Sequence, residues 1–434
     1  METLRQFLEK TPIVLRFKEF LGPNRFCYLV GGAVRDAWLG RPVHDFDFAT
    51  PQDPTSLAQA WARHCRGHWF WLDEARRQSR VVLGPGNLEP TFDFAPFRAA
   101  DLEGDLRGRD FTFNALAIGL GGNAPPQLID PLGGVADLGA RRLRACSPNA
   151  FLDDALRVLR AARFAALLDL RPDEDTLRLA REAAPGLAKI AGERIKAELF
   201  ALFAAPAIAA GLELADASGA LAALSIRKDE VSLKAGIEES EAFFSRIDFL
   251  CLERLDLHAL LDTSLEAGLS RAALLRLAVF LRACPPTVSV QELTRRLAAA
   301  RDTAQRLRAL LEVDFGQIVP PPTERPTPRQ FAQWVSRLGR EPIDILLFLA
   351  GQRDIDERLK DLIPQALSAW LSLNVDNRLP PLIDGAWVTR ELGVSEGKQI
   401  GRLLDQLAEA EFRGLVNTPE NARKFLKSLQ EKED

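Results

Sequence analysis

Hydrophobic and polar residues follow two different periods along the chain, and the change comes between residues 144 and 151. Before it, short apolar or strictly alternating runs are separated by Gly and Pro, a pattern typical of β-strands. We predict strands at residues 27–30, 45–49, 80–83, 91–95 and 115–118. After it, Ala, Leu and Arg recur at helical spacing almost without strand signals. The pattern predicts an α+β fold, with a small mixed β-sheet in an N-terminal head and only helices beyond it.

A chain of 434 residues is too long for one ordinary hydrophobic core. We predict a head at residues 1–140, a helical neck at 141–205, a helical body at 206–318 and a helical tail at 319–434. The stretch from Val319 to Pro328 is too rich in proline to be helical, and we interpret it as a semi-rigid connector before the tail.

Composition narrows the classes of function. No apolar run reaches the roughly 18 residues of a membrane span, and the first 26 residues lack the apolar core of a signal peptide, so we expect a cytoplasmic protein that does not bind membranes. The five cysteines form no C-x-x-C pair, which argues against a disulfide framework and a zinc site. Because the net charge is -4 at pH 7, any nucleic-acid surface must be a local basic patch.

A glycine pair interrupts the head after its first strand. An apolar run leads into Gly31 and Gly32, and residues 33–39 are predicted to form a helix. Backbone N–H groups at such a turn can hold phosphate oxygens, since no Cβ intervenes and a helix start favours an anion. An ordinary strand-to-helix turn has the same appearance.

Alternation also orients three carboxylates. Asp45 and Asp47 point to one face of a strand and their neighbouring phenylalanines to the other, close enough to share one or two Mg²⁺ ions. Asp93 repeats this pattern in a later strand and would join them if the two strands are neighbours. The alternative for all three is a solvated acidic face.

The order of these and later motifs resembles the class II tRNA nucleotidyltransferase and bacterial poly(A) polymerase family. The resemblance is carried by residues 31–36, 45–47, 109–115, 130–138, 153–164 and 193–199, and more faintly by 392–401. Two positions depart from the family pattern. Gly108 stands where an arginine is usual before Arg109, and Asp153 replaces a glutamate.

The resemblance implies attack of an RNA 3′-hydroxyl on the α-phosphorus of CTP or ATP, with release of pyrophosphate. It implies that Asp45 and Asp47 hold Mg²⁺. Asp93, from the alternation of its own strand, is predicted as a third catalytic carboxylate. The implied nucleotide-binding residues are Gly31, Gly32, Arg35, Arg109, Asp110, Asn114, Asp154, Arg157 and Arg160.

The segment around Asp154 is predicted to be a helix that selects the base. Asp154 and Arg157 are three residues apart and would share a helix face, on which a carboxylate and a guanidinium can read the Watson–Crick edges of C and A. Leu152, Leu156 and Leu159 would be buried behind them. An intrahelical salt bridge is the alternative. Four arginines are predicted to bind RNA phosphates: Arg141, Arg142, Arg144 and Arg163. The alternative for each one taken alone is an ordinary solvated surface residue.

The predicted partners are the tRNA 3′ end, with CTP and ATP as substrates. A poly(A) polymerase of the same family is the near alternative, although the chain ends in an acidic segment instead of a basic extension. The alternative from a different class of protein is a catalytically silent RNA-binding protein. Only six residues, 99–104, separate Arg98 from Asp105, where members that add all of CCA generally have a longer mobile loop. We therefore expect a CC-adding enzyme that relies on a separate A-adding enzyme, complete CCA addition being the alternative.

Overall fold

The computed structural model describes residues 11–84, 90–122, 126–226, 229–251, 257–373, 379–394 and 397–433. The chain forms two compact units. The first contains residues 1–190 and 205–224, and the second contains 191–204 and 225–434. The predicted division into head, neck, body and tail remains a prediction.

The first unit is built on one seven-stranded mixed sheet. Its strands are β1 (Phe26–Val30), β2 (Asp45–Thr50), β3 (His68–Asp73), β4 (Gln78–Val82), β5 (Thr91–Pro96), β6 (Ala117–Gly121) and β7 (Leu128–Ile129). The strand order is β3-β4-β5-β2-β1-β6-β7, in which β2 and β5 are parallel and all other neighbours are antiparallel. The helices among these strands are α1 (Pro12–Leu21), α2 (Gly32–Trp38), α3 (Thr55–Cys65) and α4 (Leu102–Arg107).

Aromatic residues cover one face of this sheet. Phe46 and Phe48 of β2 and Phe92 and Phe94 of β5 are at most 1% exposed, and the ring of Phe17 from α1 packs on Phe48, Phe92 and Phe94. Burial of a phenylalanine contributes roughly 1.5–3 kcal/mol. Since successive side chains of a strand point to opposite faces, this buried layer forces the intervening aspartates onto the other face.

The predicted strands correspond to β1, β2, β4, β5 and β6, and the α+β prediction is confirmed. Two details were wrong. The last strand begins at Ala117 instead of residue 115, because Thr112–Asn114 form a 3₁₀ turn that leads into it. Strand β3 was not predicted, since its Trp, Phe and Leu residues show no alternation of polar and apolar positions.

The rest of the first unit is mainly helical. Its helices are α5 (Gly134–Gly139), α6 (Ala150–Asp153), α7 (Arg157–Leu168), α8 (Glu174–Ala183), α10 (Ile208–Ala217) and α11 (Ala220–Ala223). Helix α10 packs along α7, whose buried face includes Val158, Leu159 and Phe164. Two-residue strands β8 (Arg142–Leu143) and β9 (Arg171–Pro172) pair in parallel beside them.

The second unit consists of helices and one short hairpin, β10 (Ser264–Glu266) with β11 (Leu269–Ser270). Its helices are α9 (Gly192–Ala204), α12 (Glu230–Cys251), α13 (Leu257–Leu261), α14 (Arg271–Ala283), α15 (Val290–Arg296), α16 (Arg301–Glu312), α17 (Pro328–Ser336), α18 (Pro342–Ala350), α19 (Glu357–Leu373), α20 (Gly385–Leu392), α21 (Gly397–Phe412) and α22 (Pro419–Glu433). Residues 319–327 form neither helix nor strand, as predicted, and α17 begins at Pro328. None of the helices in the described ranges is both long and apolar enough to cross a membrane.

Candidate active site

Three aspartates share the solvent face of the sheet where β2 and β5 run side by side. The parallel register places Asp47 opposite Asp93 and Asp45 opposite Thr91. The hydroxyl of Thr91 donates a 2.6 Å hydrogen bond to the Asp45 carboxylate. The structure therefore brings together the three carboxylates that the alternation predicts.

Arg80 of β4 binds the third carboxylate. Its Nε and Nη2 atoms donate hydrogen bonds of 2.7 and 2.8 Å to the two carboxylate oxygens of Asp93. Arg80 and Asp93 are register partners in the antiparallel pairing of β4 and β5, so the pair is set by the sheet. Such bidentate pairs are among the stronger hydrogen-bonded ion pairs. Asp93 is thus charge-compensated within the protein, whereas Asp45 and Asp47 form no such pair with the residues that the structure describes.

The electrostatic environment of Asp47 suits a divalent cation. Removal of water by the surrounding protein raises the pKa of its carboxyl, Asp93 and Asp45 raise it further, and Arg109 and Arg80 act in the opposite direction. A cation placed between two carboxylates would relieve this repulsion. In the described parts of the chain, no group of three His, Cys, Asp or Glu side chains could hold a metal. The metal-binding role of Asp45 and Asp47 remains a prediction; two carboxylates would leave coordination positions for substrate oxygens and water.

The glycine turn lies directly beside this site. Gly31 has φ +76° and ψ -135°, a conformation close to a region that is essentially restricted to glycine. A Cβ at Gly31 would stand 2.9 Å from Nη1 of Arg109 and 3.9 Å from the Asp47 carboxylate. The missing side chain lets the Arg109 guanidinium approach the backbone at the start of α2. The predicted helix after the glycines is confirmed as Gly32–Trp38.

Arg109 is fixed by a carboxylate that the sequence analysis did not single out. Asp105 is 2% exposed, accepts a 3.1 Å hydrogen bond from Nη2 of Arg109 and accepts a 3.0 Å hydrogen bond from the backbone N–H of Arg98. This carboxylate positions Arg109, whose side chain is 17% exposed, near Gly31 and the Asp47 carboxylate.

Four predicted nucleotide-binding residues form a buried polar chain. Arg35 donates a 2.6 Å hydrogen bond to Asn114, the Asn114 amide donates one of 3.0 Å to Asp110, and Arg160 donates two of 2.9 and 2.6 Å to Asp110. Burial opposes ionisation of Asp110, but Arg160, Asn114 and the backbone N–H of Phe111 outweigh it and hold the pKa of the carboxyl below its usual range. These groups fix the segment that carries Arg109.

The predicted base-selecting helix is interrupted, and this prediction was wrong. Helix α6 ends at Asp153, Asp154 is extended with φ -154° and ψ 103°, and α7 begins at Arg157. The Asp154 carboxylate accepts a 3.1 Å hydrogen bond from the backbone N–H of Leu156, a local bond by which Asp competes with helix formation. Asp154 and Arg157 therefore do not share the face of one helix.

Arg157, at the start of α7, binds main-chain carbonyl groups of α6 and of the segment that carries Arg109. Its guanidinium donates to the carbonyl oxygens of Gly108 at 3.0 Å, Arg109 at 3.3 Å and Ala150 at 3.0 Å. It thus ties α6 and α7 to the segment that carries Arg109. The prediction of three buried leucines was right for Leu156 and Leu159 and wrong for Leu152, which is 71% exposed because α6 buries Ala150 and Phe151 instead.

The four arginines predicted to bind RNA all make contacts within the protein. Arg141 pairs with Asp169 at 2.5 Å, and Arg142 and Arg144 both approach the buried Asp137, at 3.7 and 2.8 Å. The Arg163 guanidinium lies 4.1 Å from the centre of the Phe164 ring. These contacts leave the RNA-binding role of the four residues a prediction.

The short connector after β5 is folded. Asp101 begins α4 by accepting a 2.8 Å hydrogen bond from the backbone N–H of Gly104, and a Cβ at Gly104 would come within 2.7 Å of Ala99. With the Asp105 bonds to Arg98 and Arg109, the six residues are fastened at both ends.

Sequence reasoning missed Arg80, Thr91 and Asp105 as parts of the site. Arg80 lies in a predicted strand, and a strand residue can point to the same sheet face as Asp93. Which residue it contacts depends on the register between the two strands. Asp105 lies just upstream of Arg109, where i,i+4 spacing on a helix indicates a salt bridge.

Comparison with known proteins identifies the family of the chain. Residues 27–144 match the model of the "Poly A polymerase head domain", and residues 169–225 match a "Probable RNA and SrmB- binding site of polymerase A". The chain is 34% identical to a CC-adding tRNA nucleotidyltransferase of Geobacter sulfurreducens, over 93% of this chain and 92% of that protein. It is 32% identical to an A-adding tRNA nucleotidyltransferase of Deinococcus radiodurans, over 93% and 95% of the two chains.

The fold is also that of solved members. A Thermotoga maritima CCA-adding enzyme complexed with tRNA superposes with a TM-score of 0.69 at 24% identity, covering 98% of each chain. The chain belongs to the tRNA nucleotidyltransferase family, and the predicted resemblance is confirmed. Enzymes of this family generally use divalent metal ions.

Proposed function

We propose that this chain adds the two C residues of the CCA end to tRNA, using CTP as its substrate, without a nucleic-acid template. The observation that carries the catalytic part is the register of β2 and β5, which sets Asp45 and Asp47 on the open face of the sheet beside Gly31 and Arg109. The activity of nucleotidyl transfer to tRNA is that of the family.

Asp45 and Asp47 would hold Mg²⁺, whose preference for carboxylate oxygens fits this pair. When bound, the metal lowers the pKa of the attacking 3′-hydroxyl and neutralises charge on the leaving pyrophosphate. The N–H of Gly31 donates to the Leu116 carbonyl oxygen, so the contribution of Gly31 and Gly32 is a backbone without side chains that the triphosphate can approach closely. Arg109, held by Asp105, places a fixed positive charge beside it. Arg35, Asn114, Asp110 and Arg160 keep that segment in place through their buried hydrogen bonds. Base selection falls to the segment of Asp154 and Arg157.

The proposed restriction to C rests on the connector between Arg98 and Asp105. A change of specificity from C to A requires the base-selecting segment to be repositioned, and a long mobile loop is a lever for such a change. Here the connector is short, begins α4 and is fastened through Asp101 and Asp105, so it has little freedom to move. Overall identity does not discriminate, because the CC-adding and A-adding relatives are 34% and 32% identical.

The decisive experiment is incubation of the full-length protein with labelled CTP or ATP on tRNAs that lack CCA, end in C, end in CC or end in CCA. We expect two C additions to the first tRNA, one to the second, and addition of A to tRNA-CC at least 100-fold slower than C addition, a ratio on the order of 3 kcal/mol. A addition to tRNA-CC at a rate matching C addition would overturn the restriction to C.

The same assay separates the other candidates. Long A tracts on tRNA and on unrelated RNAs would identify a poly(A) polymerase. Retention of RNA binding without incorporation of any nucleotide, with Mg²⁺ and Mn²⁺ both tested, would identify a silent RNA-binding protein. On the proposed function, the terminal A comes from a separate enzyme of the same compartment, which we propose is the cytoplasm.

A further inference from the structure

The carboxylate face of the sheet continues beyond the metal-binding aspartates to the edge strand β3. The register pairs Asp47 with Asp93, Asp93 with Arg80, and Arg80 with Phe70, so these four side chains form one row across β2, β5, β4 and β3. Neighbouring strands lie about 4.8 Å apart, which places Phe70 about 14 Å from Asp47. This row, Asp47-Asp93-Arg80-Phe70, is called the acceptor row below.

The outer half of the acceptor row has the chemistry of a single-stranded RNA site. Phe70 is 44% exposed, although a phenylalanine is ordinarily buried, and Leu72, at the irregularity of register between Trp71 and Asp73, is 47% exposed. Proteins bind single-stranded RNA by combining cations for the phosphates with exposed aromatic rings on which bases stack.

Arg80 can contact a phosphate without releasing Asp93. A guanidinium has five N–H donors, and the Asp93 carboxylate engages those on Nε and Nη2. Its Nη1 atom makes no hydrogen bond with the described residues, and the side chain is 35% exposed. One face of the sheet thus presents, in order, the metal-binding carboxylates, a cation and an exposed ring.

We infer that the acceptor row is the path of the RNA strand next to its growing 3′ end, with a backbone phosphate at Arg80 and an unpaired base stacked on Phe70. This inference rests on the proposed function and names where its RNA substrate binds. A second protein adding a strand to the edge of β3 would use the backbone of the strand and not the ring of Phe70, which the test below separates.

The test uses full-length protein and a tRNA lacking CCA, with 2-aminopurine placed at one of the unpaired 3′-terminal positions at a time. For Phe70→Ala we expect the KM for tRNA and the Kd for RNA to rise about 5- to 100-fold, the range typical of lost base stacking. The KM for CTP and kcat at saturating tRNA should change less than threefold. In the wild type, one 2-aminopurine position should be quenched on binding, and this quenching should be lost in Phe70→Ala and retained in Phe70→Trp.

Phe26→Ala is the matched control. Phe26 is 45% exposed and lies in the same sheet, on β1, four residues before the register partner of Asp47. Phe26→Ala should leave RNA binding and quenching unchanged.

The contribution of Arg80 is tested by comparing the double variant Arg80→Gln/Asp93→Asn with Asp93→Asn alone. Replacing Asp93 in both variants avoids an unpaired carboxylate when Arg80 is removed. The added loss of Arg80 should lower the slope of log K against log salt concentration by about 0.7, the value for one single-strand phosphate contact.

Equal RNA affinity and equal quenching in wild type and Phe70→Ala would overturn the inference while leaving the proposed function intact. The same holds if Phe26→Ala weakens binding as much as Phe70→Ala does, since the effect would then not be specific to the row. If the wild type fails to incorporate CTP, the proposed function fails, and the quenching measurement still decides whether Phe70 contacts RNA. Concentration-dependent dimerisation that persists in Phe70→Ala, with RNA binding unaltered by the substitution, would overturn the inference and assign the β3 edge to strand pairing with a second protein.

Discussion

Arg160 donates two hydrogen bonds, of 2.9 and 2.6 Å, to the buried carboxylate of Asp110. Arg160 belongs to α7 and Asp110 to the segment between α4 and the 3₁₀ turn, so this ion pair joins the segment proposed to select the base to the segment proposed to bind the triphosphate. Asp110 also accepts a hydrogen bond from Asn114, and Asn114 accepts one from Arg35 of α2. These hydrogen bonds connect α7 to α2 through the segment that contains Asp110.

Arg160→Gln should make the protein more sensitive to acid. The lowered pKa of Asp110 means that its ionised form contributes stability above the unfolded-state pKa of about 3.9, and that this contribution is lost as pH falls through the lower folded-state value. Without Arg160 the folded-state pKa rises, so the loss begins at higher pH. We expect unfolding by urea, measured from pH 7 to pH 3, to show the divergence between variant and wild type.

A partly exposed pair provides the control for that measurement. Arg141→Gln removes the ion pair between Arg141 and Asp169, whose side chains are 72% and 47% exposed. The free energy of unfolding should therefore change by less than about 1 kcal/mol at any pH. Identical pH profiles for Arg160→Gln and Arg141→Gln would mean that the Asp110 pair is not a special source of stability.

Asp45→Ala and Asp47→Ala should each abolish incorporation of every nucleotide. Each removes a ligand of the proposed metal site, and loss of metal stabilisation worth several kcal/mol lowers the rate by roughly a thousandfold or more. Asp53→Ala, at an exposed aspartate shortly after the same strand, should retain activity. Single-turnover rates with unchanged circular dichroism decide the case, and near-normal turnover of a folded Asp47→Ala protein contradicts the metal assignment.

Arg157→Ala should reduce base choice more than RNA affinity. The guanidinium holds the carbonyl groups of Gly108, Arg109 and Ala150, and its loss loosens the wall of the site that the base would contact. A discrimination loss of about 1–3 kcal/mol is expected, comparable with one bidentate base contact. The measurement is kcat/KM for CTP against UTP, GTP and ATP. Full retention of the wild-type preference would leave Arg157 with a purely structural role.

Gly31→Ala should impair CTP binding as well as stability. The new Cβ would lie 2.9 Å from Nη1 of Arg109, and the backbone at φ +76° adds roughly 1–3 kcal/mol of strain. Gly40→Ala separates the two effects, because Gly40 has φ +70° with no atom within 4 Å of an added Cβ. We expect both variants to lower the melting temperature and only Gly31→Ala to raise the KM for CTP. An equal rise in both would assign the effect to strain alone.

Local patterns were sufficient to predict the carboxylate face. Strict alternation of Asp and Phe in β2 and β5 predicts which side chains point together, and burial of Phe46, Phe48, Phe92 and Phe94 enforces it. The pairing of Arg80 with Asp93 could not be predicted, because it depends on the register between β4 and β5, which the sequence of neither strand specifies alone.

The break in the base-selecting segment could not be predicted for a different reason. Leu and Arg recur at helical spacing through it, so periodicity indicates one continuous helix. The helix is interrupted where Asp154 binds the backbone of Leu156 and where Arg157 binds carbonyl groups of Gly108 and Arg109, some 48 residues away in sequence. Long-range contacts of this kind leave no local pattern.

The parallel pairing of β2 and β5 makes the site depend on the register of the two strands. Deletion of Phe92 would point the Asp93 side chain into the aromatic layer and the Phe94 side chain toward Asp47. A shift of the whole strand by one position would avoid this, but it would break the pairing of Asp93 with Arg80. Point substitutions at these positions alter one contact, whereas a single-residue deletion reverses every side chain that follows it in the strand. This stretch should therefore accept changes of residue far more readily than changes of length.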